Sequence, residues 1–367
     1  MANNLFEVFI SSASSPLPSS APNTPAFGPS QPNFLQSSNQ LSNATRVISA
    51  SALSRICKVS PQLLFEIIEK HEPKAIMEYL SEGNSKIQQS FLNLLNIVLF
   101  EGNSKIQNRI LEESTLISSL KKLLEHSQSQ IRAKALLTVY SICQLSPAVF
   151  LACCEAKFLP VLERISKDKE AYVRHCIKAA IFGITNLVPT ITNKITIEIR
   201  NILEKKKTTS FNATSATKSL KDKLYCFPII LHLMTSPILR YKIFTADLIA
   251  DLSYYLTTVE DLSFLTYDDF KGTLLLVLEA ISQNPALLAP QHEHVILHLL
   301  PSLISLLKSE SGDTRFLSLK IFIDVLSEFM SQPSLYSVCL IIKFNVILIY
   351  FFRPVLNLLQ LDKLMIL

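Results

Sequence analysis

Apolar residues recur along this chain at helical spacing, and the polar turns that interrupt them keep a fixed period. Leu116, Leu120, Leu123 and Leu124 fall at i, i+4, i+7 and i+8, one face of an α-helix. The turn Ser127-Gln128-Ser129-Gln130 separates them from a second apolar helix that opens with Ile131-Arg132-Ala133-Lys134. The same opening returns 42 residues later as Val173-Arg174-His175-Cys176, and Ile87-Gln88 fills the slot 44 residues earlier. The exits keep step as well: Ile56 to Pro61, Ile142 to Pro147 and Ile184 to Pro189 each end an apolar run on a proline. The spacing predicts pairs of helices. First members fall near 74–80, 116–126, 157–168, 223–235 and 292–308, and second members near 87–100, 131–145, 172–187, 238–256 and 314–330.

Helix pairs repeating every ~40–47 residues are the mark of HEAT and armadillo solenoids, in which no unit can bury its apolar face alone and stacked units leave an extended surface for partners. The fold expected is therefore all-α, a HEAT/armadillo-type solenoid read as one continuous array. Composition agrees: of 367 residues 49% are hydrophobic and 18% charged, and six glycines suit long helices better than tight hairpins.

Residues 1–45 depart from the pattern, with six prolines, many serines and Glu7 as their only charge, and are expected to be a disordered tail or linker. Met1 to Ile10 lacks the basic start of a secretory signal, so the sequons at Asn43 and Asn212 read as chance matches. Repeats are expected over 46–204 and again over 224–337. Between them, 205–223 reads as a loop rich in Lys, Ser and Thr. Lys205, Lys206, Lys207, Lys218, Lys221 and Lys223 stand there against Asp222, which gives the segment +5; the chain's whole net charge is also +5. With the remainder balanced, the expectation is a local acidic partner contacting those lysines rather than nucleic acid along a basic face. At 338–367 the chain turns almost wholly apolar, yet only nine residues lie between Lys343 and Arg353 and Pro354 follows, short of the ~20 that span a bilayer. This segment is expected to be either the core of a further unit or a chain end that departs from the natural reading frame, rather than a membrane span.

Arginines recur at the second-helix openings as Arg132, Arg174, Arg240 and Arg315. A guanidinium placed there suits an acidic group or carbonyl of the neighbouring turn, so these four are read as structural repeat positions. Seven cysteines at 57, 143, 153, 154, 176, 226 and 339 have no metal-type spacing and read as reduced core thiols of a cytosolic protein. No catalytic residue emerges. Asp269-Phe270-Lys271-Gly272 resembles the kinase magnesium triplet with an insertion, but no His-Arg-Asp loop or Gly-x-Gly-x-x-Gly accompanies it, and it reads as a turn. His294 and His298 have the i, i+4 spacing of metal ligands without a third ligand in order, so no metal, cofactor or small-molecule substrate is expected.

Several segments resemble a known family. Gln130 to Ile142, Phe227 to Arg240, Leu278 to Leu288 and Leu300 to Phe322 are similar, in order, to the HEAT/armadillo region of the fourth unc-51-like kinase and its plant relative Runkel, over residues 75–335. In that family the repeats follow a kinase-like domain, widely regarded as a pseudokinase in animals; no residue here matches a nucleotide-site position. The resemblance implies a cytoplasmic scaffold without enzymatic activity, linked to microtubules or cilia. Its partners would be proteins: microtubules, or components of kinase signalling. The alternative it implies is the regulatory half of a serine/threonine kinase-like protein whose kinase-like domain lies outside this chain.

Overall fold

A computed structural model describes residues 34–342, apart from 82–83, 207–215, 217, 219, 221–223, 259–267, 310, 332, 334 and 338–339. The described residues are helical throughout, without strands. They form two compact units divided between Ile184 and Thr185. That division falls inside a helix rather than at the lysine-rich segment.

The first unit contains α1 (Phe34–Val59), then α2 (Pro61–Lys70), α3 (Lys74–Leu80) and α4 (Ser85–Glu101). Next come α5 (Ser104–Leu111), α6 (Leu116–Leu124) and α7 (Ser129–Leu145), followed by α8 (Pro147–Glu155), α9 (Phe158–Ile165) and the start of α10 (Ala171–Lys206). Three times, a short helix, a second short helix and a long helix follow in order. The pairs expected from periodicity are thus triplets, and the additional members α2, α5 and α8 are the short ones. Long helices pack on long ones, α1 on α4 and α4 on α7, while short helices pack against them. Phe91, Leu92, Leu94, Leu95 and Val98 of α4 and Ile131, Leu136, Val139 and Ile142 of α7 are buried between these layers. A side chain of this size stabilises the fold by about 1.5–3 kcal/mol when fully buried.

Local chemistry starts each helix where it does. Asn84 accepts hydrogen bonds from the backbone N–H groups of Lys86 and Ile87, Asn103 from Ile106, and Ser146 from Val149, each satisfying donors that a helix start leaves open. Pro61 and Pro147 open α2 and α8, at the position where a missing N–H costs nothing. The Ser-Pro pairs that end one helix therefore begin the next. Helix α1 begins at Phe34, before the tail's expected end at residue 45. Pro32 is the last proline of that stretch, and nothing after it removes a backbone donor. Residues 1–33 lie outside the described residues.

The second unit holds the rest of α10, then α11 (Cys226–Thr235), α12 (Arg240–Ile243), α13 (Ala246–Thr258), α14 (Thr273–Ser282), α15 (Pro285–Leu288), α16 (Leu300–Leu306) and α17 (Gly312–Met330). Three expectations change here. The helix expected over 172–187 passes through Pro189 to Lys206 because Ile191, Ile195, Ile199 and Ile202 prolong the buried face beyond the proline. The helix expected over 238–256 breaks after Ile243, where Thr245 restarts it by accepting from the Leu248 N–H. The helix expected from His292 carries a π turn at Val295–Leu299 before α16. Its neighbours are joined at the repeat spacing: Lys320 of α17 pairs with Glu279 of α14 at 2.5 Å, and Ser253 of α13 meets Ser302 of α16 at 2.6 Å.

Among the described residues no single helix is long and apolar enough to cross a membrane. The pair Phe270–Ser282 and Pro285–Leu306 has the composition but is bent by 92°, and Leu274, Leu275, Val277 and Leu278 within it are buried.

Candidate functional site

The four repeat arginines do three different jobs. Arg132 donates from Nη1 to the carbonyls of His126 and Ser127, both at 2.8 Å, and from Nε and Nη2 to Asp168 Oδ2 at 2.8 and 2.6 Å. Arg174 repeats the first half, donating to the carbonyls of Asp168 and Lys169 at 2.7 Å each, and Arg315 donates to the Ser309 carbonyl at 2.7 Å. In all three the guanidinium closes the turn ahead of its own helix, five or six residues back. Arg240 instead reaches Asn284 Oδ1 at 3.3 Å, and its guanidinium lies over the Tyr241 ring. Burial opposes the charge of Asp168, but the Glu170 backbone N–H and the Arg132 side chain, with Arg174 beyond, hold its carboxyl below the usual carboxylate range.

A polar ladder runs across the long helices of the first unit. Asn93 of α4 donates to Ser54 of α1 at 3.2 Å and accepts from Lys134 Nζ of α7 at 2.5 Å. Asn96 donates to the Lys134 carbonyl and accepts from Thr138 at 2.8 Å, while Gln89 donates to Gln130 at 2.8 Å. Tyr172 of α10 bonds Ser129 of α7. Each rung joins residues about one repeat apart, so the ladder fixes the register of successive units. Burial, with the nearby charge of Lys58, lowers the proton affinity of Lys134.

Charge is sorted between helix classes in this unit. The long helices α1, α4, α7 and α10 up to Ile184 carry Arg46, Arg55, Lys58, Lys86, Arg132, Lys134, Arg174 and Lys178 against one acid, Glu101. The unit's other described acids, such as Glu66, Glu69, Glu78, Glu112, Glu125 and Glu163, sit on short helices and turns, where Lys70, Lys105, Arg109, Lys121, Arg164 and other cations nearly balance them. Exposed large apolar side chains follow the cations: Ile48, Val59, Phe100, Leu145, Tyr172 and Phe182 are all on the long helices. Balanced charge outside the lysine-rich segment thus conceals an excess of basic residues on these long helices, which corrects the expectation that basic residues are gathered in that segment alone. Sorting Lys and Arg by helix class, rather than summing them, is the sequence signal that exposes it.

Of the six segment lysines, Lys205 and Lys206 end α10 and are exposed, and Lys218 is exposed; Lys207, Lys221 and Lys223 lie outside the described residues. Most of 338–367 lies outside them too. Cys57, Cys143, Cys153, Cys154 and Cys226 are buried free thiols and Cys176 is half-buried. Burial pushes Cys57 up to about 11 and Cys153 and Cys154 up to about 12, away from the reactive thiolate. Cys339 is not described. Phe270, from the kinase-like triplet, is fully buried with its ring edge-on to Phe227 and Tyr255, inside a π turn at Asp268–Gly272. His294 and His298 stack with centroids 6.2 Å apart. Among the described residues no group of three or more His, Cys, Asp or Glu could hold a metal ion.

The second unit has a cleft of about 220 Å³ lined by Thr185, Thr192, Lys242, Asp247 and Asp251. Burial raises the Asp251 carboxyl, against hydrogen bonds from Thr192 and Thr196 that favour its charge. Tyr255 donates to the Thr192 carbonyl at 2.7 Å and meets Thr196 Oγ1 at 3.0 Å, so these groups tie α13 to α10.

The description "Serine/threonine-protein kinase ULK4-like, HEAT repeats" matches residues 191–349. The chain is 31% identical over 294 residues to the serine/threonine-protein kinase RUNKEL of Arabidopsis thaliana, covering 78% of this chain and 21% of that protein. It is 26% identical over 310 residues to the serine/threonine-protein kinase ULK4 of Mus musculus, covering 79% of this chain and 23% of that one. Among solved structures it is similar to an engineered protein at 14% identity and TM-score 0.36, over 78% and 92% of the two chains. It is also similar to a designed armadillo repeat protein in complex with peptide (KR)4, at 16% identity and TM-score 0.35, over 78% and 97%. Those scores are too low to add to what the helix repeat itself establishes. The chain resembles the HEAT-repeat region of the ULK4-like serine/threonine-protein kinases, and it spans about a fifth of the length of these curated relatives.

Proposed function

We propose that this chain is a cytoplasmic, non-enzymatic scaffold that binds protein partners of the microtubule or ciliary apparatus. The repeat architecture supports the scaffold half of the reading: successive helical triplets offer surface in proportion to their number, and their recurring polar contacts hold register, as in the arginine turns and the asparagine ladder. One observation carries the microtubule half. The lysines at 205–223 concentrate a charge of +5 in one short stretch, with Lys205, Lys206 and Lys218 exposed. Acidic tubulin tails are attracted to such a cluster through loose contacts that need no fixed geometry and that salt screens.

Co-sedimentation with polymerised tubulin tests this reading, comparing the parent with a variant carrying Gln at Lys205, Lys206, Lys207, Lys218, Lys221 and Lys223. The parent is expected to pellet at low ionic strength, less at physiological salt, and the variant to pellet less than the parent. Equal pelleting by both proteins, or pelleting that ignores salt, contradicts it.

A further inference from the structure

The basic, apolar-studded face of the first unit contains a cleft of about 650 Å³ between α1 and α4. Ile48, Ala52 and Ile56 of α1 give it an apolar lining, and Arg55 and Lys86 supply cations from the two helices. Ile48 is 68% exposed, Arg55 and Lys86 are exposed, and no ion pair among the described residues engages either cation. Within these long helices the lone acid, Glu101, stands at the far end of α4. Leaving a β-branched side chain open to water beside two exposed cations favours an occupant that removes the apolar surface from water and brings negative charge.

We propose that this cleft docks an acidic segment of a partner protein, one apolar side chain entering against Ile48 and Ala52 while flanking carboxylates meet Arg55 and Lys86. Lys58 and Lys134 extend the positive potential from α1 to α7, so a longer acidic segment finds further attraction across the stacked helices. One feature of the cleft favours a protein over a nucleic acid. Its apolar lining of Ile48, Ala52 and Ile56 is aliphatic and offers no face on which a base can stack. The lysine-rich segment at 205–223 plays no part in this docking, and the two surfaces fail separately.

Fluorescence anisotropy of the full chain tests the inference with three labelled probes: a Glu-rich peptide carrying one leucine, the same peptide with Lys for Glu, and single-stranded oligouridylate. The parent is expected to bind the acidic peptide and not the basic one. The double substitution Arg55→Gln and Lys86→Gln, on exposed positions, is expected to weaken that binding by about threefold to tenfold. Ser51→Phe, which narrows the cleft without touching a charge, is expected to weaken it as well, with helical content unchanged by circular dichroism in every variant. The variant with Gln at the six segment lysines is expected to keep a binding of the acidic peptide that the double substitution still weakens. Equal affinity of the parent and the double variant overturns the proposal, as does loss of binding only in the six-Gln variant. Tighter binding of oligouridylate than of the peptide overturns it in favour of nucleic acid. Sedimentation showing self-association that the double variant abolishes overturns it in favour of a second copy of the chain.

Discussion

Arg132 grips Asp168 through a single carboxylate oxygen, with Nε at 2.8 Å and Nη2 at 2.6 Å, and so joins α7 to the turn that precedes α10. Asp168 is in turn gripped at its carbonyl by Arg174, which links two repeat arginines through one residue. Because the folded state lowers the Asp168 carboxyl, its contribution to stability is complete above the unfolded carboxylate range, near pH 4, and fades as pH falls through the lower folded value. Asp168→Asn is expected to cost about 1–2 kcal/mol at neutral pH and to flatten the acid limb of the stability profile. Urea unfolding at neutral and acid pH measures both; a variant whose acid limb matches the parent's contradicts the assignment.

Gly183 of α10 faces the Tyr140 ring of α7. A Cβ built at Gly183 would lie 2.6 Å from Cδ2 and 2.9 Å from Cε2 of the Tyr140 ring. Gly183→Leu is therefore expected to destabilise the first unit by about 1–3 kcal/mol despite leucine's better helix propensity. Combined with Tyr140→Ala, which vacates the space, the loss should be less than the sum of the two single losses. Additive melting shifts would show that the two side chains do not compete for the same volume.

Tyr255 is fully buried, and its hydroxyl donates to the Thr192 carbonyl beside Thr196. Tyr255→Phe keeps the ring packing against Phe227 and Phe270 and removes only the hydroxyl, leaving buried polar groups short of a partner. The expected cost is about 1–3 kcal/mol, read as a lowered melting temperature with unchanged helical content. An unchanged melt would place the strength of this junction in ring packing alone.

Much of this architecture was legible because the long helices carry strong markers. Arg132, Arg174 and Arg315 announce helix starts through a side chain that has to close its own turn. The short helices α2 and α8 were hidden by Pro61 and Pro147, which mark the end of one helix as plainly as they open the next. Helix α5 did have a signal. Glu-Gly-Asn-Ser-Lys-Ile-Gln occurs at 82–88 and again at 101–107. In both copies the Asn caps a helix and the Gln side chain donates to a carbonyl eight residues back, Leu80 and Leu99. Pro189 misled in the other direction, since the buried isoleucines beyond it outweigh one missing hydrogen bond. The excess of cations on the long helices of the first unit is invisible to net charge because acids elsewhere in the chain offset it, and spatial sorting is a property of the packed structure.

Hydrogen–deuterium exchange of the full chain, with and without polymerised tubulin at low salt, tests the central claim most directly, since it locates the partner surface on a protein proposed to act through surface alone. The account predicts slowed exchange in peptides covering Lys205 to Lys223 and unchanged exchange over α2, α5 and α8. Exchange identical with and without tubulin, or protection confined to those short helices, would contradict it.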